Sequence, residues 1–91
     1  MASQASISTD ILARYAADAA REVEGVRAIS GRRGVRVSGK DTVRIEIHVV
    51  ADRGVSIPKL GGHVQRRVRE YLGSMADVEP ASIDVVVDSL E

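Results

Sequence analysis

Thr42-Val43-Arg44-Ile45-Glu46-Ile47-His48-Val49-Val50-Ala51 is the stretch from which the fold can be read. Successive side chains of an extended chain point to opposite faces. Val43, Ile45, Ile47 and Val49 therefore fall on one side, and Arg44, Glu46, His48 and Val50 on the other. The pattern predicts a strand with one face for a core and one for water. Asp52-Arg53-Gly54 ends it, and Ser56 with Pro58 opens a helix, because proline suits a first helical turn. Ile57, Leu60, Val64, Val68, Tyr71, Leu72 and Met75 form that helix's apolar face, weakened at Gly61 and Gly62. After a loop over residues 76–81 that contains Pro80, Ile83–Val87 is nearly all apolar and predicts a last strand, internal or covered. The strand–helix–strand step is long enough for a right-handed parallel crossover.

Upstream, Ser8-Thr9-Asp10 offers helix caps, and Leu12, Tyr15, Ala16, Ala19, Ala20 and Val23 recur at helical spacing. A first helix is expected over about residues 9–24, stopped by Gly25. Its alanine-rich side lets a neighbouring element approach closely. Val26–Ser30 and Val35–Ser38 alternate as short strands around Gly31-Arg32-Arg33-Gly34, and 35–38 should pair with 42–51 as an antiparallel hairpin. Residues 1–6 read as a short disordered lead, and 7–91 as one domain. Two amphipathic helices and one sheet predict an α+β fold: a two-layer sandwich, a small mixed sheet with two helices packed on one face.

Composition narrows the function. At 91 residues the chain has room for one modest core. Without cysteine it has no disulfide framework, thiolate zinc site, iron–sulfur cluster or cysteine nucleophile. No run approaches the ~18 apolar residues of a membrane span. The first six residues lack the parts of a signal peptide, so a cytoplasmic protein is expected. Thirteen basic residues balance thirteen acidic ones. That zero is a cancellation: −2 over residues 1–25, +4 over 26–56, +3 over 57–75 and −5 over 76–91. It excludes a strong uniform field and leaves room for complementary patches.

Several motifs invite sharper readings. Gly34 to Lys40 matches the start of a phosphate-binding loop. Its interior alternates as a strand, however, and Asp41 stands where the magnesium-binding hydroxyl belongs, so a hairpin turn is the better reading. Gly31-Arg32-Arg33-Gly34 is similar to the GXXG loop of KH domains, with Arg32, Arg33 and Arg36 as a candidate nucleic-acid patch. In that module the loop joins two helices, and the open sheet face here offers no aromatic ring to stack a base. His48 and His63 are the only histidines, and neither has metal-ligand spacing. Carboxylates show no paired catalytic spacing. Nothing argues for an enzyme or a cofactor. The second helix carries Lys59, Arg66 and Arg69 outward with Arg67 on its flank, a candidate interaction surface for an acidic partner.

The order of these units resembles a known family. Ile7-Ser8, a helix, Glu24-Gly25-Val26, Gly34-Val35-Arg36-Val37, and a long strand ending in Gly54-Val55-Ser56-Ile57-Pro58 look like the bacterial alkaline-shock/general-stress proteins. Gln65-x-x-Val68 and the final Ile83-Asp84-Val85-Val86-Val87 continue the match over residues 7–90. The resemblance implies a non-enzymatic cytoplasmic protein of envelope homeostasis and stress response. It also implies self-association into a homo-oligomer, and docking at the inner face of the membrane through an integral membrane or envelope-associated partner. It carries no catalytic residues. The alternative is a KH-like RNA-binding module using Arg32, Arg33 and Arg36.

Overall fold

The computed structural model describes residues 7–31, 34–39 and 41–91. The expected lead over 1–6, and Arg32 and Arg33, lie outside the described residues. Six elements follow in order: α1 (Thr9–Arg21), β1 (Val26–Ile29), β2 (Val35–Ser38), β3 (Arg44–Ala51), α2 (Ile57–Ala76) and β4 (Ser82–Leu90).

Each helix begins where its capping chemistry lies. Ser8 accepts from the Ile11 amide at 3.2 Å, and Ser56 accepts from the Lys59 amide at 3.4 Å with Pro58 in the first turn. A serine oxygen at this position satisfies one amide that the helix itself leaves unpaired. α1 stops at Arg21, three residues earlier than the spacing predicts, because Glu22 and Val23 close the last turn onto Ala19 and Ala20. Gly25, at φ +100°, then reverses the chain, and its carbonyl accepts from the Asp52 amide at the end of β3. α2 ends on Asp77 in the left-handed region at φ 55°, and the Val78 amide bonds back to the Leu72 carbonyl.

β3 is the central strand. Along one edge it pairs antiparallel first with β2 (Val35↔Ile47 to Ser38↔Arg44) and then with β1 (Val26↔Ala51 to Ile29↔Val49). Along its other edge it pairs parallel with β4 from Arg44↔Ser82 to Ala51↔Leu90. The sheet is therefore mixed, and the expected hairpin and parallel crossover are both present. β1 and β2 act as one edge strand interrupted opposite His48: the Ser30 amide donates to the His48 carbonyl, and the His48 amide donates to Gly34. Gly39 holds the β2–β3 turn at φ +101°, where a Cβ would lie 1.7 Å from the Thr42 carbonyl oxygen. β4 departs from expectation. It runs from Ser82 to Leu90 rather than 83–87, and it is an outer strand rather than an internal one. Its apolar run satisfies one face only, since Ile83 is buried and Val85 and Val87 pack on the core while Val86 is 38% exposed.

Both helices cover the same sheet face. Leu12, Ala16, Ala19 and Ala20 of α1 and Leu60, Val64, Val68 and Leu72 of α2 bury Ile45, Ile47, Val49 and Ala51 of β3. The alanines admit the close approach read from sequence, and Tyr15 meets Tyr71 edge-on with ring centroids 5.8 Å apart. The opposite face of the sheet has no second layer among the described residues.

Candidate functional site

The uncovered sheet face is where polar side chains converge. The ladder places Arg36 of β2, Glu46 of β3 and Asp84 of β4 in one row, and Ser38, Arg44 and Ser82 in the next. Around these residues lies an open groove of about 410 Å³. Beyond them sits His48, which the alternation correctly assigned to the outer face. The expectation of an exposed histidine fails: only 5% of the residue is accessible. Its neighbours shield it. Nδ1 lies 3.0 and 3.2 Å from the two carboxylate oxygens of Asp88, and Nε2 lies 2.5 Å from Glu46 Oε2.

A neutral imidazole has one N–H donor, whereas the charged form has two. With a carboxylate at each nitrogen, the charged form satisfies both contacts. Hydrogen bonding to Asp88 first, then to Glu46, raises the His48 pKa above its ordinary 6.5, and partial burial opposes this. Asp88 reaches the ring because β4 is irregular there: Val87 pairs with Val49 and Ser89 with Val50, which leaves Asp88 as an extra residue beside His48. Sequence reasoning missed this cluster. Glu46 and His48 sit two apart on one strand face, which is a legible signal. The contact with Asp88 spans 40 residues and depends on the crossover register.

The cationic residues of α2 do not form one free stripe. Arg67 pairs through both Nε and Nη2 with Glu22, the residue that caps the C-terminus of α1, tying the two helices together. Arg69 turns to the opposite flank and donates to the Pro80 carbonyl at 3.0 Å. Arg66 and His63 line a shallow groove of about 380 Å³ with Glu22, Arg67 and Glu70. Lys59 lies in the first turn of α2, in a second groove of about 470 Å³ that also holds Glu24, Asp52 and Arg53. Thus Lys59 and Arg66 remain outward, while Arg67 and Arg69 are engaged within the chain.

Of the candidate nucleic-acid patch, Arg36 is on the sheet face, in the same row as Glu46 and Asp84. The Gly31–Gly34 segment interrupts an edge strand instead of joining two helices, so it lacks the setting of a KH loop. Among the described residues, no group of three or more His, Asp or Glu side chains is placed to hold a metal ion. No described helix is long and apolar enough to cross a membrane.

The fold is similar to solved structures. A MamM CTD variant shares 17% identity with a TM-score of 0.71, covering 94% of this chain and 85% of the other. The manganese form of a second MamM CTD variant shares 17% identity with a TM-score of 0.67, covering 90% and 99%. A third MamM CTD variant, at 16% identity and a TM-score of 0.72, covers 93% and 86%. At such identities the likeness is one of fold. No curated protein sequence matches the chain. A family profile does match, over residues 30–91: alkaline-shock protein 23, described as having a cell envelope-related function. That span includes β2, the whole crossover from β3 through α2 to β4, and the Gly54–Pro58 and Gln65 signatures. The chain belongs to the alkaline-shock protein 23 family, with its cell envelope-related function.

Proposed function

We propose that this chain is a non-enzymatic, self-associating docking module that works on the cytoplasmic side of the cell envelope. In this reading it is part of the stress response and held at the inner face of the membrane by a protein partner. The observation that carries the reading is β4. It is a nine-residue edge strand whose outer side pairs with no described strand, beside a sheet face without a second layer. An edge of this length presents a row of backbone donors and acceptors to another strand. Val86 and Leu90, 38% and 43% exposed, add apolar area on and beside it. Charge supports the second copy as occupant: outward Arg66 lies on the helix layer, and exposed Asp84 lies on the sheet layer.

Light scattering across a range of protein and salt concentrations tests the self-association. Oligomers that persist at high salt fit pairing through the strand edge, and oligomers that dissociate fit charged contact between layers. A monomer at every concentration overturns the reading. Recovery of a membrane protein with the tagged chain from its native membrane fraction tests the docking role.

A further inference from the structure

We propose that Glu46, His48 and Asp88 form a proton-operated latch: the charged imidazole holds the C-terminal half of β4 against β3, and losing its proton loosens that half. Three observations meet at this point. His48 is a nearly inaccessible histidine on a sheet face that carries no second layer among the described residues, and Glu46 and Asp88 lie against its ring. The two groups are carboxylates on different strands, Glu46 beside it on β3 and Asp88 across on β4. Asp88 also lies at the one irregularity of the β3–β4 ladder, where the register slips between Val49 and Val50. The backbone spacing is disturbed there, and a side-chain bond bridges the two strands.

The charges facing His48 come from β2, β3 and β4, while the one charged residue of β1, Arg27, pairs with Asp52 and Glu91. β3 contributes Glu46 and, further along, Arg44; β4 contributes Asp84 and Asp88; β2 contributes Arg36 opposite Glu46. Arg32 and Arg33 belong to the segment interrupting the edge opposite His48 and lie outside the described residues. Among the described residues, the charges in contact with the ring are the two carboxylates. Deprotonation removes one N–H donor and the positive charge between them, so neutral imidazole meets one carboxylate with a lone pair instead of a proton. A group whose pKa is raised on folding stabilises the folded form below its ordinary value, and loses that effect as pH rises through the raised one. The latch is therefore shut on the acidic side and open on the alkaline side. Past the latch, β4 keeps a second anchor, in which the Glu91 amide donates to Ala51 and the Arg53 amide to Glu91. Opening accordingly loosens the strand without detaching its end.

The test uses the full chain labelled with ¹⁵N. Imidazole resonances are followed through a pH titration, with His63→Gln distinguishing the two histidines, and amide exchange is read at residues 86–90. The His48 midpoint is expected above 6.5, and Asp88→Asn and Glu46→Gln should each lower it. After correction for intrinsic exchange, the opening constant of 86–90 should rise about tenfold per pH unit by which that midpoint exceeds the free-histidine value. Amides of α1 and β1 should keep their protection. A His48 midpoint at or below 6.5 overturns the latch, as does identical protection of 86–90 on both sides of the midpoint. His48→Gln should remove the pH dependence; if it does not fold, Asp88→Asn carries the same comparison. Pairing through the β4 edge would itself slow exchange at 86–90, so exchange is compared at one oligomer size held constant by light scattering, while the His48 midpoint is read independently. The latch and the self-association proposal then stand or fall separately.

Discussion

Gln65, on the exposed side of α2, donates its side-chain amide to the main-chain carbonyl of Ile83 at 2.9 Å. This bond fastens the crossover helix to the start of the strand that follows it and so fixes the register of helix against sheet. Gln65→Ala is expected to lower stability by about 1 kcal/mol, the usual net worth of one such bond. Urea denaturation with an unchanged slope would read it. An unchanged midpoint would show that water replaces the amide at no cost.

Substitutions at two glycines should have opposite signs. Gly39→Ala forces a side chain into the left-handed region and onto the Thr42 carbonyl, and should cost at least ~1–3 kcal/mol. Gly61 lies in α2 with nothing within 4 Å of an added Cβ. Gly61→Ala should therefore stabilise by about 0.5–1 kcal/mol, through helix propensity and a less flexible unfolded chain. Thermal melts of the two variants give the comparison.

Leu72 is fully buried between the helix layer and the sheet. Leu72→Ala should cost about 2–5 kcal/mol, the range for a leucine cavity in a packed core. In a domain this small that is a large share of the total. The variant should be measured at low temperature, where a folded baseline remains.

Global stability should fall toward alkaline pH. His48 has its pKa raised by Asp88 and then Glu46, so its contribution is complete below about 6.5 and is lost as pH rises through the raised value. Chemical denaturation at a series of pH values should show this decline in the wild type and a flatter profile in His48→Gln.

The core was legible in the sequence because it rests on two periodicities, the alternation of 42–51 and the helical recurrence from Leu60 to Leu72. The chain direction of β4 followed from the length of the crossover. What could not be read were outcomes of register. Gly31-Arg32-Arg33-Gly34 looked like a turn between strands. Only the bonds of Ser30 and Gly34 to the same residue, His48, show β1 and β2 to be one edge. The valines of β4 suggested a covered strand because local composition does not say that one of its faces and one of its edges lack neighbours. Arg67 and Arg69 looked like outward charge. Their partners, Glu22 and the Pro80 carbonyl, come from the cap at the end of α1 and from the loop after α2.

The two backbone hydrogen bonds that join Ser30 and Gly34 to His48 have an architectural corollary. The ends of the 30–34 excursion, Ser30 and Gly34, are both pinned to a single position on the central strand, and the Gly34 amide donates to the Ser30 carbonyl at 2.7 Å. The pairing on either side is held by these bonds and not by the residues between them. Lengthening the excursion adds only the slowly growing entropy of a longer loop. The sheet thus contains a graft site: a peptide epitope or a fluorescent tag inserted after Gly31 should leave the α2–β4 half of the molecule intact.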